Sequence, residues 1–341
     1  MIDWTRVERV LVIRLRSIGD TVLSTPSLFA LRRFLPNARI DILLEDLVAP
    51  VLAGSGLVDN VITARHGTLT RLGTALSLRE ARYDVVFNLH GGTTSTFLTR
   101  ITGARHRIGY KYYQYSSLYT DLLSSSSDFW GEDKTHSAEQ QLALLGFAGV
   151  PVSDRPRSSL TVLPAAMDEI EARLHTYGIG LEKFALIHPS TAFVTKQWPV
   201  ENFARISEYL AARGIKRVAI ASRSENTVLE NLANLSRVPI ITFDDLSLPA
   251  IVAIASRAKI FIGNDSGIAH IAAAVGTPAV VIFGSSNRDH WRPWTDAPSE
   301  IVFEPFTCQP CPGYRCEAFG EPKCIQSVPV ESVIAAIDRV I

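Results

Sequence analysis

Asp20, Lys196 and a glycine-bracketed turn at Asp265 are the residues whose types and spacing could do chemistry in this sequence. Arg14-Leu15-Arg16-Ser17-Ile18-Gly19-Asp20 follows a short apolar run, so Asp20 stands where a strand tip would open into a helix. A carboxylate there can take a proton from an acceptor hydroxyl, and Gly19 permits close backbone approach. Asp20 would serve equally well as a helix cap. A second cluster is His188-Pro189-Ser190-Thr191-Ala192-Phe193-Val194-Thr195-Lys196-Gln197-Trp198-Pro199. Ser190 and Thr191 can donate to phosphate oxygens, and Lys196 supplies a point charge for a diphosphate leaving group. A solvated loop lysine beside a packed helix entry accounts for the same residues. The third is Gly263-Asn264-Asp265-Ser266-Gly267-Ile268-Ala269-His270, again a strand, a tight polar turn and a helix start. Backbone N–H groups at such a helix start point at an anion; Asp265 as a cap and His270 as a core residue are the plainer alternative.

Two further groups stand apart. No carboxylate occurs between Asp84 and Asp121, whereas Arg100, Arg105, Arg107 and Lys111 occur there with Tyr110, Tyr112, Tyr113 and Tyr115. Such a surface suits an anionic saccharide, because Arg grips phosphate or carboxylate and aromatic faces lie against sugar rings; an ordinary basic face over core tyrosines would look alike. All four cysteines fall in Cys308-x2-Cys311-x4-Cys316-x7-Cys324. The spacing suits one tetrahedral zinc or iron in a structural role; against it stand Pro310 and Pro312 beside the first pair, and free or oxidised thiols as the alternative.

These residues need elements to hold them. Short Val/Ile/Leu runs alternate with longer helical patterns, the rhythm of parallel sheets with crossover helices. Strands are expected at 10–15, 40–44, 60–63, 84–89 and 107–110, then at 184–188, 217–221, 239–241, 259–262 and 279–283. Helices are expected at 21–35, bent at Pro26, and at 200–213, 225–235, 248–256 and 268–275. A chain of 341 residues exceeds one ordinary core, and the proline-punctuated stretch 151–164 suits a linker. The expectation is therefore α/β: two doubly wound, Rossmann-like domains, at 1–160 and 161–328, with ligands at the carboxyl ends of their strands beside a cleft.

Bulk properties exclude several classes. Lys and Arg together number 34, as do Asp and Glu, so no net field gathers nucleic acid. The apolar run at 10–13 is too short for a signal or span, and the one at 268–283 is broken by His270, Gly276 and Pro278. The expected place is the cytoplasm, with membrane contact at most peripheral. No Gly-x-Gly-x-x-Gly follows an expected strand, and neither a P-loop nor a Gly-x-Ser-x-Gly elbow occurs. Dehydrogenase, phosphate-loop kinase and serine hydrolase readings lose ground.

Taken together, these stretches resemble the ADP-heptose–lipopolysaccharide heptosyltransferases, glycosyltransferase family 9, over nearly the whole chain. The likeness is carried by the opening Val12-Ile13-Arg14-Leu15-Arg16-Ser17-Ile18-Gly19-Asp20, by segment 188–199, and by segment 264–278, in that order and spacing. The resemblance implies a GT-B fold, with an acceptor-binding first domain, a nucleotide-sugar-binding second domain and a last helix, within 329–341, packing back on the first. It implies Asp20 as general base, Lys196 on the donor phosphates, Ser190, Thr191, Asp265, Ser266, Gly267 and His270 along the ADP site, and Glu225 at the ribose. The acceptor is then expected along Arg16, Ser17 and Gly19 and over Arg105, Arg107 and Lys111. The implied reaction is inverting transfer of heptose from ADP-L-glycero-D-manno-heptose to the anionic inner core of lipopolysaccharide, needing no cofactor, at the cytoplasmic face of the inner membrane. Trp291-Arg292-Pro293-Trp294 followed by Cys308-x2-Cys311 looks like the branch that adds the third core heptose. Departures around 131–136 and in the acceptor region leave two alternatives open: a transferase of the same fold with another nucleotide sugar and acceptor, or a non-catalytic sugar-nucleotide or metal-binding scaffold.

Overall fold

A computed structural model describes residues 2–64, 67–180, 183–311 and 313–341. The chain divides into two units, Met1–Ser158 and Ser159–Ile341, inside the proline-punctuated stretch and close to the expected break after residue 160.

Among the described residues the first unit holds one sheet of six parallel strands: β1 Arg9–Ile13, β2 Arg39–Glu45, β3 Asn60–Ala64, β4 Val85–Asn88, β5 His106–Tyr110 and β6 Asp121–Leu123. Their order is β3-β2-β1-β4-β5-β6. β1 and β4 are apolar because helices cover a parallel sheet on both faces, and every residue of β4 is buried. Ile13 pairs with Leu43 on one side and with Asn88 on the other. The winding reverses between β1 and β4, which is where such a sheet opens a ligand crevice. The helix expected at 21–35 is two, Ile18–Val22 and Thr25–Phe34. Pro26 lacks an N–H and sits in the first turn of the second, so the chain breaks before it instead of bending through it.

The second unit repeats the plan with β7 Phe184–His188, β8 Lys216–Ile220, β9 Ile241–Phe243, β10 Ile260–Asn264, β11 Ala279–Phe283 and β12 Ser299–Phe303, ordered β12-β11-β10-β7-β8-β9. The winding reverses between β7 and β10, where Gly263 pairs with His188. Neither β6 nor β12 is expected from sequence. Both are edge strands, half exposed and lacking the continuous apolar run of the central ones.

The last helix, Val330–Val340, buries Val330, Val333, Ala336, Ile337 and Val340. These join the second unit's core with Trp198, Phe203, Val280, Ile282 and Val302. This helix belongs to the second unit. Its apolar stripe lies on β11, β12 and the helix Val200–Ala212, covering a sheet face that would otherwise be bare.

Candidate functional site

In the first unit, β1 ends at Ile13 and the chain turns into the short helix Ile18–Val22, which Ser17 caps. Asp20 Oδ2 accepts from the Ser17 N–H and Oγ, each at 3.0 Å. Its Oδ1 accepts from Arg14 Nη2, while Arg14 Nη1 donates to the Leu89 carbonyl at the end of β4. Asp20 is therefore both a capping carboxylate and an ion-paired one. Burial pushes its carboxyl up, but the Arg14 charge and the Ser17 and Arg14 hydrogen bonds outweigh burial and hold it below the usual 3.8. Asp20 is ionised at neutral pH.

The β4 tip completes this corner. Asn88 Oδ1 accepts from the N–H groups of His90 and Gly91, both at 3.0 Å, and its Nδ2 donates to Ser95 Oγ and Tyr119 Oη. Gly91 has φ +73, and a Cβ there would stand 2.3 Å from the Tyr113 ring. Burial, with the Arg14 and Arg16 charges, pushes the His90 imidazole down to about 4 against the pull of Asp20. Sequence reasoning missed His90 and the pairing role of Arg14. The available signal was Leu89-His90-Gly91-Gly92, a polar turn directly after an apolar run.

Arg16, Ser17 and Gly19 lie at this corner, and Lys111 follows β5 at the same carboxyl edge. Arg105 and Arg107 do not. They flank the start of β5, so six residues of strand put Arg105 about 20 Å from Lys111. Arg107 donates from Nε to the Leu118 carbonyl at 2.9 Å and from Nη1 to the Ala104 carbonyl at 2.6 Å. Both stand at the amino end of β5, away from the carboxyl ends at which parallel sheets hold their ligands. Of the tyrosines, Tyr110 is core and donates to the Gln140 carbonyl, whereas Tyr112 and Tyr115 are exposed.

In the second unit the tips of β7 and β10 carry the expected donor residues. Lys196, in the turn Val194–Lys196, stands with Nζ 2.8 Å from Asp265 Oδ2, and Ser286 Oγ donates to the same oxygen. Thr191 Oγ1 lies 3.5 Å from the Asp265 carbonyl. Ser266 is the N-cap of the helix Gly267–Ala274 but makes no side-chain cap; its Oγ meets His188 Nδ1 at 3.2 Å. The first turn thus lacks a side-chain acceptor and keeps its positive end available to an anion. Burial pushes His188 down to about 4, against Glu225, which pulls it up. Glu225 follows β8, and its Oε2 accepts from Ser222 Oγ at 2.6 Å. Ser190 and His270 lie in the interior, 0% and 5% exposed. Ser190 Oγ lies 3.3 Å from His188 Nε2.

The sequence profile of glycosyltransferase family 9 (heptosyltransferase) matches residues 71–319. The chain belongs to that family. This family 9 glycosyltransferase is 26% identical over 346 residues to lipopolysaccharide heptosyltransferase 3 of Escherichia coli, covering 96% of this chain and 97% of the relative. The solved structure of E. coli ADP-heptose LPS heptosyltransferase II superposes with a TM-score of 0.80 at 20% identity, over 97% of this chain and 98% of that one. E. coli heptosyltransferase WaaC with ADP-2-deoxy-2-fluoro heptose superposes with a TM-score of 0.69 at 19% identity, over 97% and 99%. Both share its fold.

The cysteines of this family 9 chain are free of disulfides. Cys308, Cys311, Cys316 and Cys324 border one cavity of about 10 Å³, which Thr195 and Ser285 also line. That is room for a single water-sized sphere. Burial pushes the Cys324 thiol up, and the other three cysteines act on it in the same direction. Among the described residues, no three His, Cys, Asp or Glu side chains are grouped so as to hold a metal ion. The thiols border a common space without being drawn to one centre; Pro312 lies outside the described residues.

Proposed function

We propose that this chain transfers heptose from ADP-L-glycero-D-manno-heptose to the inner core of lipopolysaccharide with inversion, Asp20 acting as general base. The observation that carries the reading is Lys196 held beside the uncapped start of helix Gly267–Ala274, in a chain of the heptosyltransferase family. The names of its relatives support the donor and the acceptor class.

In this reading the donor binds the second unit. Its diphosphate takes hydrogen bonds from Thr191, Ser266 and the Gly267 backbone and the charge of Lys196, and Glu225 meets the ribose hydroxyls. These groups offset the diphosphate charge without a divalent ion. The anionic core acceptor binds the first unit along Arg16, Ser17, Gly19 and Lys111. Asp20 accepts the proton of the acceptor hydroxyl as that oxygen bonds to the anomeric carbon. The bond from that carbon to the phosphate oxygen breaks, and ADP leaves with the electron pair. One displacement through an oxocarbenium-like state inverts the centre. Arg14 keeps Asp20 ionised at rest, so its oxygen is ready when the hydroxyl acidifies. The four cysteines supply a structural thiolate site for zinc or iron, apart from the chemistry. No described helix is long and apolar enough to cross a membrane, and the reading places the chain as a peripheral protein at the cytoplasmic face of the inner membrane.

The test is incubation with ADP-heptose and truncated core acceptors, with the product weighed by mass spectrometry and its anomeric configuration read by NMR. An acceptor already bearing two heptoses is the first to try. A product one heptose heavier with the inverted configuration is expected. Faster transfer from another nucleotide sugar, retention, or no transfer at all overturns the reading.

A further inference from the structure

We infer that the outer face of the helices Thr68–Glu80 and Thr93–Ile101 docks on an anionic lipid bilayer, with Leu72, Leu76, Phe97 and Ile101 entering the headgroup boundary and a rim of cations meeting the lipid phosphates. The inference rests on the peripheral placement in the reading above and names the face that makes the contact.

Both helices cover the same face of the first unit's sheet. Ala75 and Leu78 of the first and Leu98 of the second join one core cluster with Leu11, Ile13, Leu43 and Val86, and the two helices contact each other. With that side given to the core, a face meant only for water would be polar. Leu72 and Leu76 are instead each 57% exposed, Phe97 46% and Ile101 40%. A spacing of four puts the members of each pair one turn apart, so the four side chains make two short apolar rows on neighbouring helices. Tyr115, also exposed, extends the second row, its ring 5.4 Å from that of Phe97. Single exposed apolar residues are ordinary, whereas a grouped set marks an interaction surface.

The charges around the rows select the occupant. Arg79 follows Leu76 by three residues, on the same flank of its helix, and its guanidinium fills the space that a Cβ on Gly103 would need. Arg82, Arg100, Arg105 and Lys111 are exposed as well, and none of these five cations is ion-paired among the described residues. Residues 85–120 hold no carboxylate, and Asp84 already accepts from the N–H groups of Glu8 and Arg9. Glu80 is left as the acidic residue of the face. Apolar side chains within a rim of unpaired cations match a bilayer of anionic lipid, which takes up the first and attracts the second. A second copy of this chain would set the same cations against one another across a two-fold axis. Both helices also begin after β3 and β4, at the carboxyl edge of the sheet that carries Asp20, His90 and Lys111. A chain resting on this face has that corner at the bilayer surface, within reach of a lipid-borne sugar.

The experiment mixes the full chain with phosphatidylcholine vesicles, with or without phosphatidylglycerol, and reads the bound fraction by flotation without any substrate. Binding to the anionic vesicles about tenfold tighter than to the neutral ones, and weakened by salt, is expected. The double variant Leu76→Gln, Phe97→Gln should lose about tenfold in vesicle affinity, and Arg100→Gln about fivefold. All three positions are exposed, so circular dichroism and ADP affinity should stay as in the native chain. Transfer to a short soluble acceptor should be unchanged in the double variant, while transfer to an acceptor embedded in vesicles falls. Equal binding to both vesicle types, or none, overturns the inference, as does a double variant that binds like the native chain. A dimer by light scattering that the double variant abolishes assigns the face to a second copy and overturns it too. Vesicle binding that follows these expectations in a chain that transfers no heptose overturns the heptosyltransfer reading and leaves the docking face standing.

Discussion

Lys196 Nζ and Asp265 Oδ2 meet at 2.8 Å, 69 residues apart in the chain, across the tips of β7 and β10. The Asp265 side chain is only 6% exposed and that of Lys196 20%, so the pair fixes the ammonium at a strand end while leaving it reachable. A lysine has three N–H donors, and one carboxylate bond leaves two for an anion.

Lys196→Ala should therefore do two things. Loss of a preorganised donor to the leaving group lowers kcat/KM by about 10²–10³. Asp265 is left buried with Ser286 as its side-chain donor, and the melting temperature falls with it. Steady-state kinetics with ADP-heptose and a thermal melt read both; unchanged kinetics would remove Lys196 from the donor site.

Asp20→Asn should lower single-turnover transfer by about 10²–10⁴, the range for positioned proton transfer, with ADP affinity unchanged. The amide oxygen can still accept from Ser17, so secondary structure by circular dichroism should be preserved.

Arg14→Met should move the acid limb of the kcat/KM profile to higher pH. In the native chain Arg14 and Ser17 hold the Asp20 carboxyl below 3.8, so its ionised form persists until the pH falls through that lowered value. Without the guanidinium, burial acts with less opposition and the carboxyl titrates higher. A limb that stays in place would mean that Asp20 is not the group being titrated.

Acid should destabilise the second unit through His188. The imidazole takes its proton near 6.5 in the unfolded chain and only near about 4 when folded. Between those values the unfolded chain holds more protons, so stability falls as pH drops from 6.5 towards 4, by about 3 kcal/mol for this residue. His90 acts with the same sign on the first unit. Urea titrations across that window should show a shallower fall in His188→Gln.

The central strands and the three strand-tip turns were legible because their signals are local. Val10 to Ile13, residues 184–187 and Ala279–Phe283 are continuous apolar runs, and a run of that length buried on both faces suits a parallel strand. Glycine and hydroxyl residues directly after such a run mark a turn into a helix, which placed Asp20, Thr191 and Ser266 correctly at carboxyl ends. The edge strands β6 and β12 were not legible, since half-exposed strands carry no such run.

What the sequence by itself determined is which residues stand at strand ends, because backbone periodicity and turn chemistry act over a few residues. Strand order and packing, which only the tertiary structure decided, made the partners: Arg14 with Asp20 and the β4 tip, Lys196 with Asp265, four cysteines around one cavity beside Thr195. They also took Arg105 and Arg107 to the far end of β5 and laid the last helix on β11 and β12. The physical reason is that burying apolar faces is satisfied over the whole unit at once, and hydrogen-bond partners are then whichever polar groups that burial brings within reach.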